Sequence, residues 1–579
     1  MNRRRFLTSV SLAGAAGAAF ARAVAAQAPE GLSKETIAQA EKLAGLEFSD
    51  AERQLMLDEL QDNVEAYAKL RQVKVPNSVP PAFRFTPPLS SSVSPAPDPG
   101  PRPLPYAPAA RAPERPASDD DLAFLPVTQL AALVASRRVS SVELTELYLA
   151  RLERYGPALE CVVTLTRDRA MEQARLADRE LAAGRYRGPL HGIPWGAKDL
   201  LAVKGYRTTW GSVPFQEQRI EEDATVVRRL DEAGAVLVAK MSVGELAWGD
   251  IWFGGRTRNP WNPEEGSSGS SAGSASATSA GLLGFAIGTE TLGSIVSPCT
   301  RCGASGLRPT FGRVSRHGAM ALCWTMDKIG PICRTVGDCA LVFDRIRGAD
   351  GLDDTVVDQP FSWPPPDVST LRVGYLQTLF ERPAEGPGAA AREEWRQLDL
   401  AVLDVLRRLG VELVPLELPA DLQIDSLAFI LGAEAAAAFD ELTRSGQDDL
   451  LVRQVQQAWP NVFRAGRMVP AVEYIQANRV RTLAIRALEE KLKDLDVYVS
   501  PTYGGSNLLL TNLTGHPTVV LPNGFRANGT PTSIPFIGRL WGETAALALA
   551  QAYQQATDFH LRRPDLGRLP HRPSPRPVG

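Results

Sequence analysis

Several features that would assign a chain of 579 residues to a broad class are missing from this sequence. After the first thirty residues, no apolar run has the roughly 20 residues that a membrane-spanning helix needs. The formal net charge is only −3, and acidic and basic residues are interspersed. Because nucleic-acid binding requires a basic face, we expect neither a nucleic-acid partner nor stable insertion in a membrane.

Cysteine and histidine are scarce, with six and five residues respectively. Cys299 and Cys302 have the C-x-x-C spacing of a zinc ligand pair, but no second pair accompanies them. The cysteine spacing also gives no disulfide framework in so long a chain, so we predict small buried thiols. The sequence predicts neither a metal nor another cofactor.

The N-terminus has the pattern of an export signal. Arg3-Arg4-Arg5-Phe6-Leu7 precedes a mildly apolar stretch and then Ala23-Val24-Ala25. A twin arginine, an apolar segment and an A-x-A cleavage pattern are typical of a Tat signal peptide. We therefore expect residues 1–25 to be removed and the mature protein to be periplasmic or secreted.

Residues 26–75 predict a helical hairpin. Ser49 and Glu52 have the spacing of a capping box. An apolar stripe at helical spacing follows, formed by Met56, Leu60, Val64, Tyr67 and Leu70. Two such short helices cannot bury their apolar faces alone, so we expect them to dock on the rest of the chain.

Three further segments are distinguished by composition. Residues 76–118 are a Pro-rich linker, with 14 prolines between Pro76 and Pro116. In residues 119–565, predicted helices at 141–155, 393–409 and 470–494 accompany predicted strands at 371–376 and 497–500, and this favours an α/β domain. Residues 566–579 are predicted to be a disordered tail.

The densest pattern lies between residues 188 and 315. One part is a loop of small residues, Gly266-Ser-Ser-Gly-Ser-Ser-Ala-Gly-Ser274, followed by a predicted helix at 274–280 and a predicted strand at 282–287. A second part is Gly288-Thr-Glu-Thr-Leu-Gly-Ser294. A third, Gly188-Pro-Leu-His-Gly-Ile-Pro-Trp-Gly-Ala-Lys198-Asp199, lies upstream.

These three motifs, in this order, resemble the amidase signature family, and Ser270 and Ser294 keep the family spacing of 24 residues. The resemblance implies an α/β fold with a central mixed sheet covered by helices on both faces. It implies a hydrolase of linear amides that forms an acyl-enzyme with a small-molecule amide substrate. The hairpin resembles the small C subunit of the tRNA-dependent amidotransferases, here fused in front.

The resemblance also implies roles for single residues. Ser294 is expected to be the nucleophile, and Ser270, after a cis peptide from Gly269, the bridging serine. Lys198 is expected to be the base, which requires a pKa lowered by burial. The amides of Thr291, Leu292, Gly293 and Ser294 are expected to form the oxyanion hole.

Three positions depart from the family pattern, which usually has Asp at Glu290, Gly at Leu292 and Arg at Val296. Leu292 places a side chain in the oxyanion turn and makes a positive φ there costly. Val296 lacks a charge that meets substrate carboxylates in some members. Both changes leave the substrate class open, including amide against ester.

Other interpretations of the same residues remain. Gly269-Ser-Ser271-Ala-Gly273 also fits the nucleophile elbow of α/β-hydrolases. That elbow requires a preceding apolar strand, whereas residues 259–265 are polar, and it requires a histidine base. The candidate histidines are His191, His317, His516, His560 and His571.

At the level of function, the chain could instead be the A subunit of a tRNA-dependent amidotransferase, or a non-catalytic relative. An export signal argues against the first alternative and an intact Ser–Ser–Lys set against the second. Candidate pocket walls, which the sequence does not rank, are Trp195, Trp210, Trp324, Tyr503 and residues 508–510.

The export signal gives a direct test. Replacing both Arg3 and Arg4 by Lys is expected to leave the precursor in the cytoplasm, because the Tat route reads the arginine pair. Cell fractionation followed by detection of the cleaved form measures this. Normal cleavage and periplasmic recovery of the double variant would contradict the prediction.

Overall fold

The structure is a computed structural model that describes residues 32–76, 78–83, 113–363, 367–385 and 388–570. The predicted signal peptide, most of the Pro-rich linker and residues 571–579 lie outside these ranges. Within them, no helix combines the length and apolar character that crossing a bilayer requires.

Fifteen strands are found in the described residues. They are β1 (Val162–Leu165), β2 (Pro194–Lys198), β3 (Val236–Met241), β4 (Ile251–Trp252), β5 (Gly255–Arg256), β6 (Arg258–Asn259), β7 (Asn262–Gly266), β8 (Phe285–Glu290), β9 (Ser305–Arg308), β10 (Lys328–Cys333), β11 (Val373–Leu376), β12 (Leu413–Leu416), β13 (Val497–Val499), β14 (Thr518–Phe525) and β15 (Pro531–Gly538).

The α-helices of the described chain, short 3₁₀ turns aside, alternate with these strands. They are α1 (Lys34–Ala44), α2 (Asp50–Leu70), α3 (Asp119–Ala123), α4 (Val127–Ala135), α5 (Ser141–Leu159), α6 (Arg167–Ala182), α7 (Thr225–Glu232), α8 (Ala272–Ser279), α9 (Val296–Cys302), α10 (Val336–Ile346), α11 (Gln377–Glu381), α12 (Ala389–Arg408), α13 (Phe429–Ala438), α14 (Asp440–Arg444), α15 (Trp459–Gly466), α16 (Ala471–Leu492), α17 (Asn507–Thr514) and α18 (Glu543–Gln555).

Eleven of the strands form one mixed sheet, in the order β1-β3-β2-β8-β10-β9-β14-β15-β13-β11-β12. Strand β2 pairs in parallel with both β3 and β8, while β10 runs antiparallel to β8. Helices flank the sheet, so the predicted α/β fold with a central mixed sheet is confirmed. Since β2 and β8 are parallel, their carboxyl ends, Lys198 and Glu290, lie at the same edge of the sheet.

The prediction for the strand before Ser294 is wrong in its position. Leu282 and Leu283 are fully buried but lie in the connection after α8. Strand β8 starts at Phe285 and continues through the predicted turn to Glu290, because residues 286–290 pair with β10 over five positions. Ladder pairing, which an apolar pattern does not reveal, sets the strand limits.

Other elements agree more closely with their patterns. The predicted strands at 371–376 and 497–500 become β11 and β13, and the helices at 393–409 and 470–494 become α12 and α16. The small-residue helix begins two residues before its predicted start, as α8. All six cysteines are free and buried, as predicted, and no group of metal-ligating side chains is found among the described residues.

The N-terminal hairpin consists of α1 and α2. Both hydrogen bonds of the predicted capping box are present: the Ser49 side chain accepts from the amide of Glu52, and the Glu52 side chain accepts from the amide of Ser49. The buried stripe of α2 is Met56, Leu60, Asn63, Tyr67 and Leu70. The expectation that Val64 belongs to it is wrong, since Val64 is 45% exposed; alternating steps of four and three residues from Met56 reach position 63, one residue before it.

The hairpin packs on the domain that follows it. Met56 and Leu60 form a cluster with Ala465 of α15, and Tyr67 meets Phe429 of α13 edge to face at 5.1 Å between ring centroids. Near the C-terminus, Leu566 of the predicted disordered tail packs against a buried cluster. The tail prediction is therefore wrong for this residue.

The docked hairpin predicts a contrast between two apolar residues of α2. Met56→Ala is expected to lower stability by about 2–5 kcal/mol, because the fully buried side chain leaves a cavity. The control, Val64→Ala on the exposed face, should change stability by less than about 0.5 kcal/mol. Thermal unfolding and limited proteolysis of the hairpin measure both, and equal effects would show that the hairpin is not docked.

Candidate active site

Lys198 ends strand β2 and is completely buried. Its Nζ lies 2.9 Å from the Oγ of Ser270, 3.0 Å from the Oγ of Ser271 and 2.8 Å from the Oγ1 of Thr289. Burial lowers the pKa of Lys198 to about 7, although the negative charges of Asp327 and Glu290 oppose the shift. A substantial fraction of this lysine is therefore uncharged near neutral pH, as a general base requires.

Ser270 reaches Lys198 from the Gly-rich loop before α8. The peptide bond between Gly269 and Ser270 is cis, as the resemblance implied. A side chain at position 269 would place its Cβ 1.8 Å from the carbonyl oxygen of Gly249. Only glycine permits this close approach of two backbone segments, so the loop needs its small residues for packing rather than for mobility.

Ser271 has a structural role in this arrangement. Its Oγ donates to the carbonyl of Thr289 and accepts from the amide of the same residue, both at 3.1 Å. Three of the four described histidines pair with glutamates elsewhere: His191 with Glu180, His317 with Glu222 and His516 with Glu489. Because no described histidine is a hydrogen-bond partner of Ser271, the geometry does not support the nucleophile-elbow interpretation.

Ser294 follows β8 in a turn and is 8% exposed. Its carbonyl accepts from the amide of Ser271 at 3.2 Å, which joins the two serine loops. Ser294, Gly269 and Leu292 line one cavity of about 640 Å³. The three residues of the predicted triad are thus brought to one place, with Ser294 facing the cavity and Lys198 behind it.

The turn at residues 291–294 is fixed from both sides. Thr291 donates through Oγ1 to Asp327 at 2.6 Å. On the other side, Glu290 accepts from the amides of Ile295 at 2.8 Å and Val296 at 2.9 Å. In the described chain, the amides of residues 291–294 themselves donate no hydrogen bond. They remain free to donate to a ligand.

Glu290 is held by a buried ion pair. Arg308 of β9 donates to it at 2.7 Å, and both side chains are fully buried. Asn512 of α17 adds a hydrogen bond at 2.9 Å. Burial alone would raise the pKa of Glu290, but Arg308 and the Val296 amide outweigh it and lower the pKa to about 2. Where the family usually has Asp, the longer Glu keeps its charge and anchors the turn.

The two other departures have different consequences. The positive φ of the turn falls on Gly293, at 82°, and not on Leu292, so the leucine does not strain the backbone. The Leu292 side chain is 38% exposed and lines the cavity. Val296 is 1% exposed in the core beside Cys299, and it does not line the cavity.

None of the predicted pocket walls, including residues 508–510 of α17, lines this cavity. Trp195 is buried in the core, and the partly buried Trp210 packs against it. Trp324 lines a neighbouring cavity of about 830 Å³, and Tyr503 is 55% exposed. The cavity beside Ser294 is instead lined by aromatic side chains that the sequence did not single out, namely Trp248, Phe429 and Trp459. No periodicity or motif marks them, since they come from separate elements.

Comparison with known proteins agrees with this geometry. The model of the family described as Amidase matches residues 143–509. The chain belongs to the amidase family. It is 35% identical over 470 residues to the A subunit of the glutamyl-tRNA(Gln) amidotransferase of Roseiflexus sp. (strain RS-1), covering 74% of this chain and 95% of that one. The corresponding protein of Moorella thermoacetica (strain ATCC 39073 / JCM 9320) is 33% identical, covering 77% and 99%.

A solved structure gives a second kind of relative. The peptide amidase of Stenotrophomonas maltophilia superposes with a TM-score of 0.65 and 32% identity, covering 76% of this chain and 98% of that one. This amidase-family chain therefore resembles both an amidase and one component of an amidotransferase over nearly their full lengths.

The buried pair beneath the turn gives a stability prediction. Arg308→Met is expected to cost about 3–5 kcal/mol, because it leaves Glu290 buried without its partner. The matched control is Arg301→Met on α9, which removes a partly exposed pair with Glu265 and should cost less than about 1 kcal/mol. Chemical denaturation measures both, and similar losses would contradict the role given to the pair.

Proposed function

We propose that this amidase-family enzyme hydrolyses a linear carboxylic amide through an acyl-enzyme on Ser294, with Ser270 as proton relay and Lys198 as base. The observation that carries the proposal is the buried Lys198 Nζ, 2.9 Å from the Ser270 Oγ and with its pKa lowered to about 7. A lysine in water, with a pKa near 10.4, would be almost entirely charged at pH 7 and could not act as a base.

The chemistry follows from the order of the groups. As the Ser294 Oγ attacks the amide carbonyl, its proton passes to Ser270. At the same time, Ser270 gives its own proton to uncharged Lys198. The C–N bond then breaks, and the leaving nitrogen receives the proton returned through Ser270. Water repeats the sequence on the acyl-enzyme, releases the acid and restores the Ser294 hydroxyl.

Charge that develops on the carbonyl oxygen needs donors that are already in position. The backbone N–H groups of residues 291–294, which donate no hydrogen bond within the described chain, supply these donors. Their turn is anchored by Glu290 and Asp327. One such donor is worth about 3–4 kcal/mol of barrier lowering in other enzymes, because it needs no reorganisation during the reaction. Backbone amides also explain why Leu292 is tolerated where the family usually has Gly.

A second candidate function is the A subunit of a tRNA-dependent amidotransferase, in which the same cleavage releases ammonia for a partner. Relatives of that name at 33–35% identity favour it. The twin arginine at residues 3–4 favours the hydrolase, since we propose that it directs export away from cytoplasmic tRNA. Cleavage of a small aryl amide by the purified chain alone supports the hydrolase; dependence on added partner proteins and tRNA would support the amidotransferase.

The proposed base predicts the pH profile. Protonated Lys198 cannot accept a proton, so kcat/KM should rise as pH increases through about 7 and level off above it. Ser294→Ala should abolish labelling by a fluorophosphonate. Ser270→Ala and Lys198→Ala should each lower kcat by about 10²–10⁴-fold, as is usual for general acid–base groups.

Histidine variants serve as controls. His191→Ala and His516→Ala should have much milder effects on kcat, because both rings are engaged with glutamates away from the triad. If Ser271→Ala were inactive while Ser294→Ala kept its activity, the assignment of the nucleophile would fail and the elbow interpretation would replace it.

A further inference from the structure

The cavity beside Ser294 is closed on one side by the N-terminal hairpin. Glu59, Asp62, Asn63 and Ala66 of α2 line the same cavity as Ser294. The family match begins only at residue 143, so this wall is outside the part of the chain that the family model describes. The hairpin therefore contributes to the candidate substrate site as well as to packing.

Helix α2 is held firmly enough to present these side chains. Beyond the apolar stripe, Arg464 of α15 forms an ion pair with Glu52 at 2.7 Å. Near the other end of α2, Arg71 pairs with Glu473 of α16 at 2.5 Å. The wall is thus anchored on both sides of residues 59–66.

The charged residues that line the cavity are all acidic. They are Glu59, Asp62 and Asp425, and the described lining residues include no lysine, arginine or histidine. None of the three carboxylates forms an ion pair with another described residue. Arg453 lies 4.3 Å over the ring of Trp248, a lining residue, but is not itself part of the lining.

Glu59 is affected by its surroundings. Burial and the negative charge of Asp62 raise the pKa of Glu59 above its ordinary value. A positive charge placed between these two carboxylates would relieve both effects, since it favours the ionised form of each.

Asn63 provides an independent indication of a ligand. It is 8% exposed and lines the cavity, yet no hydrogen bond joins its carboxamide to another described residue. Its carboxamide is therefore available to hydrogen-bond a polar group bound in the cavity. Polar groups that line a pocket usually fix the orientation of the ligand and its specificity.

We propose that α2 forms a specificity subsite that takes a cationic group of the amide substrate, an ammonium or a guanidinium, between Glu59 and Asp62, with Asn63 hydrogen-bonding the adjoining polar atoms. The proposal rests on the proposed amide hydrolysis and names its substrate class: amides that carry a positive charge away from the scissile bond. Aromatic side chains of the same cavity, Trp248 and Trp459, suit the apolar spacer.

Matched substrates test the subsite. One pair places the charge in the acyl group, 6-aminohexanoyl-4-nitroanilide against heptanoyl-4-nitroanilide. The other places it in the amine, N-(5-aminopentyl)acetamide against N-hexylacetamide. For at least one pair, kcat/KM should favour the cationic member, and this preference should fall about tenfold in the Glu59→Gln/Asp62→Asn variant and in high salt.

Glu65→Gln is the matched control. Glu65 lies on the same helix, is exposed and does not line the cavity, so its variant should keep the full preference for the cationic substrate. If the preference is absent in the wild-type enzyme, or if the double variant and Glu65→Gln behave alike, the subsite proposal is overturned while amide hydrolysis stands.

Failure of the proposed function itself would look different. It would appear as no cleavage of any of the four amides together with no fluorophosphonate labelling of Ser294. The subsite is then tested by calorimetric binding of pentylammonium against pentanol, which needs no turnover. Tighter binding of the cation, weakened in the Glu59→Gln/Asp62→Asn variant, supports the subsite, and equal binding overturns it.

Discussion

A single buried carboxylate, Glu290, holds the arrangement on which the rest of the site depends. It lies at the end of β8 and is neutralised by Arg308 of β9, and it accepts hydrogen bonds from the two amides that follow the turn at residues 291–294. By accepting hydrogen bonds from the amides of residues 295 and 296, Glu290 fixes the turn. The amides of residues 291–294 are left without a hydrogen bond in the described chain. Removing its charge partner would leave an uncompensated ion in the core, so the turn and the sheet are energetically linked.

Glu290 and Lys198 are both fully buried, but Glu290 stays charged near neutral pH whereas Lys198 is partly uncharged. Glu290 stays ionised because Arg308 and backbone amides compensate its loss of water, and its pKa is about 2. Lys198 has hydroxyl and carbonyl partners but no carboxylate in direct contact, so desolvation prevails and its pKa is lowered to about 7. Whether a buried group keeps or loses its charge near neutral pH thus depends here on its partners rather than on its depth.

The N-terminal hairpin contributes one wall of the cavity beside Ser294. Its stripe from Met56 to Leu70 is buried against α13 and α15, which turns Glu59, Asp62 and Asn63 toward the cavity of Ser294. The residues of the candidate triad belong to other elements: Lys198 ends β2, Ser270 precedes α8 and Ser294 follows β8.

The sequence by itself determined the α/β class, the hairpin with its capping box, the buried thiols and the candidate triad, because these depend on local periodicity or on motifs with fixed spacing. The tertiary structure decided the limits of β8, the burial of Asn63 in place of Val64, and the cavity walls Trp248, Phe429 and Trp459. It also decided that Arg308 compensates Glu290. Such pairings join residues far apart in the chain, and only packing of the whole domain brings them within contact distance.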